Sequence, residues 1–314
     1  MNNKLAFTMA EILISLTIVG VVAAITLPAL QGNINEKVWN TQRKALYSRI
    51  TQAISLMQSL NGYGLGEIQE DTNKNAAMAF VAEGLSKVLK INNICDNEHL
   101  TDCGIAAKYT NMAGITNNIP TKLSNFNSMF TETYVGSNGH IYQNSQKDID
   151  TLAVAFETVN GENLLVLYNP QYVDDLGEID LHFSQPKMCV NFIYDLNGTA
   201  GPNTIGKDMG FITALYPSNT NIVAPMPLAT NASDSLEQAE AMSACRNQNA
   251  ESRLPNRDEL SAMFYNRDLL GITAGWFWSS SVVSDATAWR LAFSTGNRHV
   301  VPRSDKYNVR CIKR

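Results

Sequence analysis

The sequence predicts an α+β protein in which a long N-terminal helix spans a membrane and packs on a small antiparallel β-sheet head. Three observations lead to this fold class. Residues 12–30 form an uncharged apolar run, residues 38–60 repeat apolar side chains at helical spacing, and short segments rich in β-branched and aromatic residues follow. We expect a second, smaller α+β domain to complete the chain after residue 219.

The apolar run reads ILISLTIVGVVAAITLPAL, and a single ionisable residue, Glu11, lies between residues 7 and 35. A helix rises about 1.5 Å per residue, so roughly 20 apolar residues cross the hydrocarbon core of a bilayer. We therefore expect a span over about residues 7–30, and Pro28 favours a helix break within it. A cleaved secretory signal, with small residues between 23 and 29 at its exit site, is the alternative.

The residues before the run carry a second signal. Residues 5–11, Leu-Ala-Phe-Thr-Met-Ala-Glu, followed by the apolar run, resemble the cleavage and methylation motif of type IV prepilins. The resemblance implies that a prepilin peptidase cuts between Ala6 and Phe7 and that Phe7 becomes N-methylated. It also implies that Glu11 is the assembly carboxylate at the fifth mature position. Ala6 departs from the glycine that is usual in this family.

This resemblance implies a non-enzymatic subunit that assembles with other pilin or pseudopilin subunits into a type IV pilus or a type II secretion pseudopilus. Glu11 of one subunit would neutralise the new amine of its neighbour, whereas an unpaired Glu11 would have to reach the membrane interface. The implied location is the bacterial inner membrane for the precursor, with the head periplasmic or extracellular, and the cell surface if the subunit enters a pilus. The alternative is a membrane-anchored adhesin that does not polymerise. The sequence contains no HExxH, GxSxG or P-loop pattern.

The predicted domains are a leader at 1–6, a helix at 7–60, a globular head at 61–219 and a C-terminal domain at 220–314. Within the head, the pattern predicts a helix in the 67–95 region and a hairpin turn at Asn160-Gly161. The strands predicted for the head are 139–143, 151–159, 163–168 and 188–194. The strands predicted for the last domain are 276–278, 288–293 and 309–312. Two helices are predicted before them, one at 235–249 and a short one that follows Pro255.

The C-terminal domain carries a second resemblance. The segment RLPNRDEL at 253–260, the tryptophans Trp278 and Trp289, and the VRC segment at 309–311 resemble the C-terminal domain of bacterial collagen-like adhesins, which has a C-type-lectin-like fold. The resemblance implies a domain that binds a ligand or a surface. Trp278, Trp289 and the Ser279–Ser281 run can line a glycan site, although tryptophans in the core and serines in turns are the favoured reading.

Five cysteines occur, and none lies in a CxxC or zinc-type spacing. Cys95 and Cys103 bracket a short polar loop that a disulfide can close in an oxidising compartment. Cys245 and Cys311 both lie in the last segment and can cross-link it through a second disulfide. Cys189 is then left over as a small buried side chain. Five cysteines permit other pairings as well.

Two features bear on ligands. Asp195, Asn197 and Asp208 supply alternating oxygen atoms in a glycine-rich stretch, so they are a candidate calcium site, with a hydrogen-bonded Asx turn as the favoured alternative. We expect no other cofactor.

Residues 285–314 contain seven basic and two acidic side chains, a net charge of +5. Such a face can attract acidic polymers, but a solvated sheet edge is the favoured reading, and nucleic acid is not an expected partner.

Overall fold

The computed structural model describes residues 9–61, 74–126, 134–135, 141–142, 150–169, 187–216, 232–248, 252–272 and 274–313. Within the first helix, the described side chains are those of residues 9–10, 12–22 and 36–57. The chain divides into two compact units, one extending to Lys44 and the other running from Ala45 to Arg314.

The α-helices of the described chain are α1 (Met9–Asn61), α2 (Ala76–Ala79), α3 (Leu123–Phe126), α4 (Gln238–Gln248), α5 (Arg257–Tyr265) and α6 (Arg267–Leu270). Shorter turns of other helix types are a π-helix at Phe80–Gly84 and 3₁₀ helices at Leu85–Lys87, Leu100–Cys103 and Gly198–Ala200.

The strands are β1 (Ile91–Cys95), β2 (Lys108–Thr110), β3 (Thr116–Asn118), β4 (Tyr134–Val135), β5 (Ile141–Tyr142), β6 (Val154–Thr158), β7 (Asn163–Tyr168), β8 (Lys187–Asp195) and β9 (Met209–Tyr216). The later strands are β10 (Ala232–Leu236), β11 (Ser252–Arg253), β12 (Trp276–Val282), β13 (Thr287–Ala292), β14 (Arg298–Pro302), β15 (Tyr307–Val309) and β16 (Ile312–Lys313).

The predicted membrane-spanning helix is wrong. Over the described residues, no helix combines the length and the apolar character that crossing a membrane requires. The same finding contradicts the expected transmembrane pilin and the inner-membrane location.

The first sheet has the strand order β1-β6-β7-β8-β9, and every neighbouring pair is antiparallel. Its middle strand, β7, reads NLLVLY, and all six residues are buried. A continuous apolar run of this length fits a strand that is covered on both faces. The β6–β7 connection turns at Asn160-Gly161, where Gly161 adopts a φ of +81°. The predicted hairpin is therefore confirmed.

The second sheet has the order β10-β15-β12-β13-β14, with β12 and β15 parallel and the other pairs antiparallel. Helix α5 begins with a capping box, in which Asn256 Oδ1 accepts from Glu259 N at 2.8 Å and Glu259 Oε2 accepts from Asn256 N at 2.7 Å. This helix packs against β9 of the first sheet and against β12 and β13 of the second. One hydrophobic core consequently runs from Ile193 and Phe211 through Phe264 to Phe293.

The predicted secondary structure holds in part. The strands expected at 151–159, 163–168 and 188–194 correspond to β6, β7 and β8, and the two helices expected near 235–249 and after Pro255 are α4 and α5. The helix expected in the 67–95 region is confirmed over residues 76–87, although not as one regular α-helix. There, α2 gives way to a π-helix and a 3₁₀ turn, and strand β1 occupies the end of that segment.

Both expected disulfides are present. Cys95 pairs with Cys103 and Cys245 pairs with Cys311. Cys189 is a buried thiol outside both disulfides, and burial raises its pKa well above the usual value. The sequence left this cysteine over after the other four had been matched, as a small buried side chain, and its burial is as expected.

Candidate functional site

The residues that carry the prepilin resemblance lie at the start of the chain. Ala6 and Phe7 fall outside the described residues. Glu11 belongs to helix α1, but its side chain is outside the described set. Helix α1 is assigned without interruption across Pro28. The cleavage site, the assembly carboxylate and a kink at the proline therefore all stay predictions.

The first turns of α1 expose an apolar surface, which we call the apolar end. Its members are large apolar side chains that are all exposed: Met9, Ile12, Leu13, Ile14, Leu16, Ile18, Val19, Val21 and Val22. Successive helical residues are separated by about 100°, so these positions fall on every side of the helix. A surface of this kind is apolar all round, and such helices are normally buried by neighbours on several sides.

The last turns of α1 behave differently. Leu46, Ile50, Ala53, Ile54 and Met57 are all buried, at a spacing of three and four residues that places them on one stripe. This stripe makes the end of α1 part of the compact unit that begins at Ala45.

An ion pair ties the same turns of α1 to the first sheet. Arg49 binds both carboxylate oxygens of Glu162 in the β6–β7 turn, with Nη1 donating to Oε2 at 3.2 Å. Glu162 is buried and also accepts a hydrogen bond from the Thr158 hydroxyl. A two-pronged contact to a buried carboxylate fixes the helix in one orientation on the turn.

The candidate calcium residues lie in the β8–β9 connection. Asp195 and Asp208 are fully buried, and Asp208 accepts backbone hydrogen bonds from Asn203 N at 2.8 Å and Thr204 N at 2.9 Å. Asp195 Oδ1 accepts from Asn197 N at 3.1 Å. The bond to Asp195 is that of an Asx turn, as the sequence favoured, whereas Asp208 accepts from residues four and five positions before it in the chain.

The same connection has two features that turns alone do not explain. Asn197 Oδ1 is buried and accepts no hydrogen bond from the described residues. Burial and the neighbouring charge of Asp208 raise the pKa of Asp195 to about 7. No cluster of three or more His, Cys, Asp or Glu residues suited to a metal occurs in the described part of the chain. Any cation here would need the amide oxygen of Asn197 as a ligand besides the two carboxylates.

The expected glycan-site residues of the C-terminal domain have structural roles instead. Trp278 is fully buried, and its Nε1 donates to Leu236 O at 2.6 Å. Ser279 is also buried, and Ser281 Oγ accepts from Arg257 N at 3.0 Å at the start of α5. The tryptophan is thus a core residue, as favoured. The serines lie within strand β12 rather than in turns. Trp289 is partly exposed beneath the guanidinium of Arg257, 5.6 Å from the ring centroid.

A different set of side chains crosses the second sheet in a row. Four neighbouring strands, β15, β12, β13 and β14, contribute Tyr307, Trp276, Arg290 and His299 in that order. We call this set the cross-strand row. The carbon at the centre of the Arg290 guanidinium lies 3.9 Å from the Trp276 ring centroid and 4.3 Å from that of Tyr307. The His299 ring stands edge-on to Trp276 at 5.2 Å.

The cross-strand row reaches the surface. His299 is exposed, and Trp276, Arg290 and Tyr307 are partly exposed. Arg290 forms no ion pair with a carboxylate of the described chain, and its buried Nε lacks a hydrogen-bond partner there. The Tyr307 hydroxyl donates to Asp305 Oδ2 at 3.0 Å.

Sequence reasoning missed this row because its members are up to 31 positions apart and only strand register brings them together. The one available signal was the alternation Trp276-Phe277-Trp278, which places the two tryptophans on one face.

Comparison with known proteins adds one finding. No curated protein matches the chain. A family described as a domain of unknown function (DUF8780) matches residues 229–313, which corresponds to the part of the chain from β10 to β16.

Proposed function

We propose that the protein is a processed structural subunit that assembles into a filament of the type IV pilus or type II secretion kind and presents a C-terminal binding domain. Assembly takes place through the apolar end of α1. The observation that carries this proposal is the exposure of nine large apolar side chains on every side of one helix.

The shape of that surface favours copies of the same helix as the partner. A single flat partner can cover one stripe of a helix, as the last turns of α1 illustrate. A helix that is apolar all round requires several neighbours, and a helical array of identical subunits supplies them without a second protein. The resemblance of residues 5–11 to prepilin processing motifs supports the same partner.

Glu11 gives the array its register. It is the only ionisable residue between residues 7 and 35, so a carboxylate surrounded by apolar neighbours needs a cation. Cleavage between Ala6 and Phe7 creates an amine at the start of the helix. The amine of one copy pairs with Glu11 of the next, and a mismatch between copies leaves both charges unpaired at a cost of several kcal/mol.

The C-terminal part supplies the binding function. Residues 229–313 match one family as a block, and they bring a sheet with partly exposed aromatic and basic side chains to the surface. Domains that carry such side chains on a rigid sheet are suited to ligand recognition. The resemblance to the C-terminal domains of collagen-like adhesins supports this role.

The test is the state of the mature chain and the effect of Glu11→Gln. Mass spectrometry of the protein isolated from its own cells should find a chain that begins with N-methylated Phe7. Glu11→Gln should abolish sedimentable filaments, because the amine then lacks its counter-charge. Glu36→Gln is the matched control, since Glu36 is an exposed glutamate on the same helix, and it should assemble normally.

Two outcomes contradict the proposal. One is a mature chain that still begins at Met1, which leaves no amine beside the apolar end. The other is normal assembly of the Glu11→Gln variant. A processed or unprocessed chain that stays monomeric would instead be a binding protein that does not polymerise.

The proposal includes one cofactor, a calcium ion bound by the β8–β9 connection. The buried, unpartnered Asn197 Oδ1 favours it, because it adds a neutral oxygen to the carboxylates of Asp195 and Asp208. Millimolar calcium should raise the melting temperature of the wild-type chain by several degrees and leave that of Asp208→Asn unchanged. Equal melting temperatures with calcium and with a chelator would remove calcium from the proposal.

A further inference from the structure

We infer that the cross-strand row, Tyr307, Trp276, Arg290 and His299, binds an acidic polysaccharide, a sugar polymer that carries carboxylate or sulfate groups. This inference rests on the proposed function for the role of the C-terminal part as a binding domain, and it names the ligand class and the residues of that domain.

The arginine is the anion-binding element of the row. The guanidinium of Arg290 lies against the rings of Trp276 and Tyr307, which cover its planar surfaces. An arginine held in this way keeps its donor edge in a fixed direction, and that edge matches the geometry of a carboxylate or a sulfate. No carboxylate among the described residues lies within ion-pair distance of Arg290, so the guanidinium can pair with an acidic group of a ligand.

The aromatic members provide the complementary apolar contact. Trp276 is partly exposed at the surface of the sheet, and His299 is exposed beside it. A tryptophan at a surface offers a large rigid apolar ring together with a polar N–H edge. A sugar ring has the same mixed character, with apolar C–H groups on its faces and hydroxyl groups around its rim. The row therefore offers one contact for the ring and one for the acidic substituent.

The dimensions of the row favour a polymer. Neighbouring strands are about 4.8 Å apart, so four strands give a row of roughly 14 Å. This length exceeds that of a single sugar ring, and all four residues engage only if the ligand continues across the sheet.

The charge of the domain favours a polysaccharide over nucleic acid. Residues 229–313 contain ten basic and nine acidic side chains, so the matched region is close to neutral. Domains that bind nucleic acid are typically strongly basic, because they must neutralise closely spaced phosphates. A sugar polymer with isolated charges needs only a local cation such as Arg290.

The test measures binding of the full chain to four immobilised probes: polygalacturonate, dextran sulfate, uncharged dextran and single-stranded DNA. We expect the chain to bind at least one of the two acidic polysaccharides, and the stronger of these identifies carboxylate or sulfate as the preferred group. Arg290→Gln and Trp276→Ala should each weaken that binding about tenfold, the effect of one lost charge-assisted contact. Arg290→Lys should weaken it less, because the charge stays.

Arg257→Gln is the matched control. Arg257 also lies over a tryptophan, Trp289, and is exposed, but Trp289 follows Ala288 and precedes Arg290 on β13, so it points to the opposite face of the sheet. This variant should bind as tightly as the wild type. Each variant is used only if its melting temperature lies within about 2 °C of the wild-type value, which separates loss of the site from loss of the fold.

Three results would overturn the inference: equal binding to uncharged dextran, tighter binding to DNA than to either acidic polysaccharide, or unchanged binding by folded Arg290→Gln. The Glu11→Gln chain is measured alongside to keep the two proposals apart. If that chain binds the polysaccharide without assembling, the site and the assembly mechanism both stand. If the wild-type chain assembles but binds no acidic probe, only the proposed binding site is refuted. If the wild-type chain binds an acidic probe but never assembles, only the proposed filament is refuted.

Discussion

Helix α1 has apolar side chains at both ends, but the two ends place them in opposite surroundings. From Met9 to Val22, nine large apolar side chains are at least 45% exposed, whereas from Leu46 to Met57 five apolar side chains are at most 2% exposed. The difference lies in their arrangement around the helix. The later residues form one stripe, which a single sheet can cover, and the earlier residues surround the helix.

This comparison separates an apolar surface that is buried within the chain from one that is exposed and that we propose to be covered by a partner. The stripe is satisfied within one chain and is reinforced by the ion pair between Arg49 and Glu162. The apolar end has no such cover in the described part of the compact unit that ends at Lys44. The later turns of α1 therefore contribute to the stability of the fold, and the first turns are those for which we propose a role in assembly.

The largest effect is expected from a charge in the apolar end. Val19→Asp should abolish filament formation, because each subunit would bury an unpaired carboxylate at a cost of several kcal/mol. Leu56→Asp is the matched control, since Leu56 is an exposed apolar residue, 49% exposed, near the other end of the same helix. Sedimentation and electron microscopy measure the outcome. Filament formation by Val19→Asp, or loss of filaments in both variants, would contradict the assigned difference between the two ends of α1.

Next in size is the disulfide between Cys245 and Cys311, which closes a sequence separation of 66 residues. Replacing both with serine should lower the free energy of unfolding by about 4 kcal/mol, and the corresponding change at Cys95 and Cys103 by about 2.5 kcal/mol, because the longer loop restricts the unfolded chain more. Chemical denaturation gives both values. The folded variants should still form filaments, since neither disulfide involves the apolar end, and loss of filaments would contradict that independence.

An effect of similar size is expected from truncating the buried stripe. Ile50→Ala should reduce the free energy of unfolding by about 2–5 kcal/mol, as is usual for a fully buried isoleucine. Ile14→Ala, at an exposed position of the apolar end, should change it by less than about 0.5 kcal/mol. Urea unfolding followed by circular dichroism compares the two. Similar losses at both positions would mean that the ends do not differ as described.

The smallest effect concerns the ion pair. Glu162→Gln should destabilise the chain by about 1.5–3 kcal/mol, because Arg49 then faces a neutral group in a half-buried setting. Glu83→Gln, at an exposed glutamate of the same compact unit, should be neutral within about 0.5 kcal/mol. A double-mutant cycle with Arg49→Gln isolates the pairing energy, and a coupling near zero would show that the contact does not hold α1 in place.

Local sequence signals predicted the elements that local chemistry decides. The Asn160-Gly161 turn and the run NLLVLY of β7 both depend on residues close together in sequence, and each appears where the sequence placed it. The disulfide between Cys95 and Cys103 could be predicted for the same reason, because only eight positions separate the two cysteines.

Features that depend on distant pairing were not predictable in this way. The apolar pattern near residues 76–87 suits one α-helix, yet the segment forms α2, a π-helix and a 3₁₀ turn in succession. The cross-strand row depends on the register of four strands. The expected membrane span was inferred from an uncharged apolar run, and over the described residues no helix is long and apolar enough to cross a membrane.

Disulfide cross-linking between copies tests the central claim most directly. Ile18→Cys places a thiol in the apolar end, and Leu56→Cys places one at an exposed position beside the buried stripe. Mild oxidation of assembled protein should link Ile18→Cys chains to one another and leave Leu56→Cys chains single. Equal cross-linking of both variants, or cross-linking of Leu56→Cys alone, would contradict assembly through the first turns of α1.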